Sequence, residues 1–322
     1  MSRIGEFEFI AQSLAPLSAG YEGAFGLTDD AALLAQTPGL VVTSDTLVQG
    51  VHFRNDDPMD LIARKALRVN ISDLVAMAAK PHAFLLSIVW PESIRPEQQN
   101  LFVEGLAFDI AEYSVPLIGG DTTRGGDRLV LTITAFGETE APLRRSGARP
   151  GDRVFVSGTI GDAGLGLHAA EAGLPESATQ SLNNRYLLPE PRVGLIKALR
   201  QSASAGLDIS DGLVADAGHL ARASDVALDI RLEDVPLSDA ARLWLSRQNN
   251  QVEAWSSLLT GGDDYEMLFC VPEHERQALL TAAQACGVSV TEIGEVAEGK
   301  GVQVTDESGQ IVQILRTGFT HF

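Results

Sequence analysis

Six times along this chain an apolar run ends in a small or hydroxylated residue and then one or two aspartates. The stretches are LTDDAALL (Asp29, Asp30), VVTSDT (Asp45), VNISDL (Asp73), IGGDTT (Asp121), LDISDG (Asp208, Asp211) and LTGGDDYE (Asp263, Asp264, Glu266). Any one of them alone fits a helix N-cap or a turn. Together they constrain the fold, because aspartates at the ends of apolar strands converge on one edge of a sheet. Carboxylates at close quarters cost several kcal/mol or keep their protons unless something offsets them. Oxygen-rich, nitrogen-poor loops of this kind suit Mg²⁺, which prefers hard oxygen ligands and shares them with phosphates.

The segment PLIGGDTTRGG (116–126) adds to this reading. An apolar run, two glycines, Asp121 and two hydroxyls have the look of a phosphate-binding turn, yet the lysine of a Walker loop is missing. The chain has only four lysines (Lys65, Lys80, Lys197, Lys300), and its 24 basic against 43 acidic residues give a formal net charge of −19. Such a balance speaks against nucleic acid or an anionic membrane as partner. An anionic substrate such as ATP then requires arginines, backbone amides or carboxylate-held divalent ions to offset its phosphates.

Other chemistries fit less well. The EF-hand calcium pattern is absent. A metallophosphatase site usually recruits histidines, and of the six here only His52 lies in a loop near an aspartate. GLGLHA (164–169) matches the dinucleotide fingerprint, but TIGDA separates it from the strand it should follow directly. A glycine-rich helix start that lines a phosphate cleft, or simply packs closely, fits better. RRSGARPGD (144–152) either offers Arg144 or Arg145 to a phosphate or is a solvated hairpin.

The 322 residues, 45% hydrophobic, can bury a substantial core and predict two domains. Expected elements are a short helix at EFEFIAQSLAPL, a strand at 39–46, a helix from Met59 to Lys80 stopped by Pro81, and a strand at 84–90. A helix over 96–113, a strand into Gly119–Gly120 and a strand at 128–137 follow. Beyond the turn-rich joint at 144–152, strands are expected at RVFVSG, AGLDIS, VALDI, YEMLFCV and VSVTEIG with helices between them. The class is mixed α and β (α+β) in two layers, with domains over 1–147 and 148–322. Cys270 and Cys286 read as core thiols rather than a disulfide or metal pair. Glu6 and Glu8 stand where a signal peptide would be basic, and no apolar stretch approaches the ~20 residues that span a bilayer, so a cytoplasmic location is expected.

With these motifs assembled, the chain resembles the thiamine-monophosphate kinase family of the aminoimidazole ribonucleotide synthetase superfamily. The blocks DDAAL, TSDTLVQGVHF, VNISDLVAMAAKP, LIGGDTTRG, RSGARPGDRVFVSGTIGDAGLGL, LDISDGL and LTGGDDYEMLF occur in family order, from GEFEFI to the closing GFTHF. The resemblance implies a two-domain fold of that superfamily and ATP-dependent phosphorylation of thiamine monophosphate. It also implies a homodimer whose N-terminal sheets pair in a shared barrel. Asp30, Ser44, Asp45, Asp73, Asp121, Asp208 and Asp211 fall on the family's magnesium positions, with Thr43 beside them. Gly120, Asp121, Arg145 and Ser210 fall on nucleotide contacts, with Tyr113 a further candidate. His52, Asp263 and Phe319 fall on contacts to thiamine monophosphate. Asp121, Asp45 and Asp211 are expected to matter most for catalysis.

The chain departs from the family at Thr28, where glycine is usual before the paired aspartates, which bears on ligation by Asp29 and Asp30. At Phe319 a tyrosine is common, so ring stacking is retained and a hydroxyl lost. An acceptor that is already a phosphate monoester needs no strong general base, so direct in-line transfer without a phosphoenzyme is expected, assisted by several Mg²⁺. The alternatives are another ATP-using member of the superfamily and a nucleotide-binding sensor without turnover.

Overall fold

The computed structural model describes Phe25 and residues 28–30, 32–34, 39–315 and 318. The expected opening helix and Phe319 lie outside them. The first half runs β1 (Ala32–Leu34), β2 (Leu40–Val48), α1 (Met59–Ala76), β3 (Lys80–Trp90), α2 (Pro96–Tyr113), β4 (Leu117–Arg124) and β5 (Val130–Glu138). The second half runs β6 (Arg153–Ser157), α3 (Asp162–Leu167), α4 (Glu176–Leu187), α5 (Ile196–Ser202), β7 (Ala205–Asp208), α6 (Leu213–Ser224) and β8 (Ala227–Arg231). It closes with α7 (Asp239–Ser246), α8 (Gln251–Thr260), β9 (Met267–Val271), α9 (Arg276–Ala285), β10 (Val290–Ala297) and β11 (Gly301–Thr305).

Two sheets result. The first has the order β1-β2-β5-β3-β4 and the second β11-β8-β10-β6-β9-β7. Most pairings are antiparallel; β3 with β4 and β8 with β11 are parallel. Strand β2 alternates cleanly, with Val41, Thr43 and Leu47 buried and Ser44 and Thr46 exposed. In the second sheet the two faces serve different cores. Phe155 and Phe269 stack at 5.8 Å and join the core around α1, while Val154, Val156, Leu268 and Cys270 face a second core.

Helix α1 is the central element. It packs on β2, β3 and β5 of the first sheet and on β7 of the second. A helix with neighbours on several sides buries polar groups as well as apolar ones, and Lys65, Arg68, Asn70 and Ser72 are all buried here. Arg68 is held by a two-pronged ion pair with Asp109 of α2, at 2.6 and 3.0 Å.

Several expected elements shift. Helix α1 ends at Ala76, not at Lys80, because Ala78 turns left-handed (φ 50°) and the chain reverses into β3. Residues 77–79 are fully buried in that reversal, so strand pairing overrides helix propensity. Pro81 sits at the start of β3, before β4 joins it at Phe84, where a missing N–H is tolerated. Gly119–Gly120 is not a turn: β4 continues extended through Arg124. Gly120 (φ 143°) is required because a Cβ there would lie 1.8 Å from the Leu86 carbonyl oxygen of β3. Strand β11 was not expected. Cys270 is buried as expected, and Cys286 is exposed rather than in the core. Among the described residues no helix is long and apolar enough to cross a membrane.

Candidate active site

The acidic stretches meet around α1, but not in the way strand ends would. Asp45 lies within β2, Asp73 inside α1 and Asp208 at the end of β7. Asp30 comes from the loop before β1. Carboxylate oxygens of Asp30, Asp73 and Asp208 lie within 4.8 Å of one another. Thr43 donates to Asp73 at 2.5 Å, and Ser72 donates to Asp208 at 2.6 Å. Asn70 fixes the neighbouring strand by accepting from the main-chain N–H of Asp45 at 3.1 Å.

The electrostatics follow from this crowding. Burial, then the Asp30 carboxylate, pushes Asp45 up to about 6. Burial and Asp30 push Asp208 up to about 8. Asp73 lies well above the ordinary carboxylate range through burial, then Asp45, Asp208 and Asp30. The nearby cation is Arg145, whose guanidinium pairs with Asp30 while its main-chain N–H donates to Asp29 at 2.8 Å. Thr28 closes a turn onto the Phe25 carbonyl, and both aspartates still reach Arg145. Arg144, by contrast, is exposed and sits over the Phe25 ring.

A second group lies on the next turn of chain. The loop after β7 carries Ser210, Asp211 and Gly212 into α6, where Asp216 and His219 share a face three residues apart. Asp211, Asp216 and His219 offer ligand atoms within 4.8 Å of one another, and Asp216 accepts the Asp211 main-chain N–H at 3.0 Å. Burial, then Arg145 and Arg222, lowers His219 to about 4, so it is neutral at ordinary pH. Asp216 and His219 were not among the expected site residues. Their i, i+3 spacing directly after LDISDG was the available signal.

Beside these groups lies a cavity of about 560 Å³, lined by His52, Tyr186, Ser210, Trp244, Asp263 and Gly318 among others. Close glycine contacts shape it. A Cβ on Gly262 would lie 2.4 Å from the Ser210 carbonyl, and one on Gly164 3.0 Å from the Gly261 Cα. GLGLHA is not a helix start: its GLGL forms the last four residues of α3, packs closely through its glycines and lines the cavity through Gly164 and Leu165. His52 accepts the Val48 main-chain N–H at its Nδ1, 3.0 Å away.

The remaining expected residues fall elsewhere. Ser44 points to the opposite face of the sheet from Thr43 and Asp45, with its hydroxyl 2.9 Å from that of Thr134. Asp121 lies on the exposed edge strand β4, accepting the Thr122 N–H at 2.9 Å, outside both groups described above. Tyr113 ends α2 with the Arg68 guanidinium 5.4 Å from its ring centre. In the GGDDYE loop, Asp264 and Glu266 serve the fold. Asp264 accepts the Gly161 and Ala163 N–H groups at the start of α3 (2.6 and 3.1 Å). Glu266 is held by Arg185, Arg192 and Ser157.

A two-sheet fold with oxygen ligands gathered at the joint defines a class, and the sequence families agree. Residues 28–139 match the N-terminal domain of the AIR synthase related proteins, and residues 149–307 match their C-terminal domain. Among curated proteins, the thiamine-monophosphate kinase of Caulobacter vibrioides is 46% identical over 98% of this chain and 90% of its own length. That of Escherichia coli K12 is 39% identical over 99% and 98%. The solved structure of AaThiL complexed with AMPPCP and TMP superposes with a TM-score of 0.87 at 33% identity, covering 100% of this chain and 98% of that one. The hydrogenase maturation protein HypE of E. coli, 22% identical with a TM-score of 0.70 over 90% of both chains, shares the fold alone. The chain belongs to the thiamine-monophosphate kinase family of the AIR synthase related proteins.

Proposed function

We propose that this chain transfers a phosphate from ATP to thiamine monophosphate, giving thiamine diphosphate and ADP. The observation that carries the reading is the oxygen-only cluster of Asp30, Asp73 and Asp208, joined through the 208–212 loop to a cavity holding His52 and Asp263. Family membership gives the substrates, since the superposed AaThiL structure contains an ATP analogue and TMP.

The donor set fits Mg²⁺. Carboxylates that retain protons because they are buried and crowd one another are relieved by a hard dication. Asp30, Asp45, Asp73 and Asp208 with Thr43 would hold it, and Asp211 belongs to the adjoining group. Asp121 joins them if β4 and its substrate phosphates come together on binding. Bound Mg²⁺ supplies charge compensation between two polyanionic substrates.

The chain's own groups do the positioning. Arg145, freed from Asp30 once that carboxylate has another cation, reaches a nucleotide phosphate. In this reading Gly120 and Ser210 offer main chain to the nucleotide, and Tyr113 is a further nucleotide contact. His52, Asp263 and Phe319 hold the acceptor, whose phosphate oxygen is ionised and needs no general base. Asp121, Asp45 and Asp211 are the carboxylates assigned the largest part in the transfer. Direct in-line displacement follows, with inversion at a chiral γ-phosphate; retention would indicate a phosphoenzyme.

The reading includes two domains meeting near 147/148 and a homodimer through the first sheet. Its support is the exposed outer strand β4, where Leu117 and Ile118 are 44% and 60% exposed. A cytoplasmic location is part of the same reading. The deciding experiment measures ADP release from Mg-ATP with and without thiamine monophosphate and identifies the thiamine product by mass. ADP formed only with the acceptor, together with thiamine diphosphate, is the expected result. ATP binding without turnover would leave a sensor or another superfamily substrate.

A further inference from the structure

Lys65 sits inside α1 and is 3% exposed. Its ammonium donates to Asp263 Oδ2 at 2.7 Å and to the His52 carbonyl at 3.3 Å, and lies 4.0 Å from the centre of the Tyr186 ring. These three partners come from the loop after β2, from α4 and from the loop before β9. All three line the 560 Å³ cavity, while Lys65 stands behind them.

The pair differs from the ion pair that serves packing on the same helix. Arg68 and Asp109 are buried together, with side chains 10% and 0% exposed. In the Lys65 pair the cation is buried and the carboxylate opens toward the cavity, 33% exposed. Asp263 also holds a left-handed backbone (φ 69°), anchored by its N–H on the Ser210 carbonyl at 2.9 Å. A carboxylate on such a loop would turn toward water without a fixed cation behind it. A compact ammonium suits the place, where it meets a ring and two oxygens at once.

We propose that Lys65 is the positioning residue of the acceptor pocket, aiming the Asp263 carboxylate and the His52 loop at the substrate. The inference rests on the proposed kinase reading, in which His52 and Asp263 meet thiamine monophosphate. It adds the group that sets their geometry and offsets part of the Asp263 charge, so that the pocket takes a ligand with both a cationic ring and a phosphate.

The test is steady-state kinetics on the full chain with each substrate varied, for wild type, Lys65→Met, Lys65→Arg, Asp263→Asn and the Lys65→Met/Asp263→Asn double variant. Lys65→Met should raise the KM for thiamine monophosphate about tenfold or more while the KM for ATP stays within about twofold. The double variant should be no worse than the worse single, because both remove one interaction. Lys65→Arg should recover part of the loss. An unchanged acceptor KM in Lys65→Met would overturn the proposal, as would an equal rise in both KM values with a lowered Tm. If Lys65→Met does not fold, Lys65→Gln, which keeps a donor without the charge, is read in the same way. Wild type that makes no thiamine diphosphate would remove the kinase reading itself, and this role with it.

Discussion

Two acidic regions of this molecule are built from the same residue types and used in opposite ways. In the GGDDYE loop each carboxylate has its own fixed donor: Lys65 for Asp263, two main-chain N–H groups for Asp264, two arginines and a serine for Glu266. Around α1, Asp30, Asp45, Asp73 and Asp208 share Arg145, two hydroxyls and little else. In the first, Asp264 and Glu266 stabilise the fold, and Asp263 is paired while still open to the cavity. The second carries unrelieved repulsion and is poised for a cation, as functional carboxylates are when strain is concentrated at a site. Composition cannot separate the two; the neighbours can.

The contrast can be broken at either end. Glu266→Ala should cost about 3–5 kcal/mol of stability, because it removes the buried carboxylate that holds the partly buried guanidinium groups of Arg185 and Arg192; urea unfolding of the metal-free chain measures it. A loss below roughly 1 kcal/mol would mean that water replaces the carboxylate. Asp73→Asn should do the reverse. It relieves repulsion, so the metal-free Tm should hold or rise, while turnover falls about a thousandfold, ~4 kcal/mol of transition-state stabilisation. Near-normal turnover at saturating Mg²⁺ would take Asp73 out of the metal set.

The pH dependence sharpens the same point. In the folded, metal-free chain Asp45 lies near 6 and Asp208 near 8, both above their ordinary value. A carboxyl that is more basic when folded contributes stability below its unfolded pKa, and loses it as pH rises through the folded value. The metal-free chain should therefore unfold more easily at pH 8 than at pH 5. Mg²⁺ should reverse the trend, with affinity rising by up to about tenfold per pH unit across the window from 6 to 8. Titration calorimetry in buffers of different ionisation enthalpy would show the released protons; no release would mean that the cluster is already ionised. The smallest effect is expected at Ser44→Ala, where turnover should change less than about threefold, because the side chain faces away from the cluster. A large loss there would place Ser44 in catalysis through the other face of the sheet.

Much of this was legible in the sequence because local rules agreed. Helix α2 begins and ends where its proline start and apolar spacing put it, at Pro96 and Tyr113. Strands β6 to β10 fall within a few residues of their apolar runs. The acidic stretches did signal a shared site, but their convergence runs through a helix and the middle of a strand. Period-2 alternation could have assigned Ser44 to the other face. The family motif names Ser44 with its neighbours without regard to which way each side chain points, so its expected metal role is not visible in the cluster. The end of α1 was hidden because Ala76, Met77, Ala78 and Ala79 are all good helix formers, and only the pairing of β3 with β5 stops them. Asp216 and His219 were passed over because a helix face becomes visible only once its start is fixed. Phe319 itself falls outside the described residues, so the ring at that position keeps its expectation alone.

Helix α1 belongs to the packing of both sheets, and its core includes Phe155, Met267 and Phe269 from the second half of the chain. Neither half could melt without exposing that helix. The two family domains should therefore give one calorimetric transition, with van't Hoff and calorimetric enthalpies in agreement. An isolated N-terminal half, carrying α1 with one flank stripped of its partners, should be a poor folder.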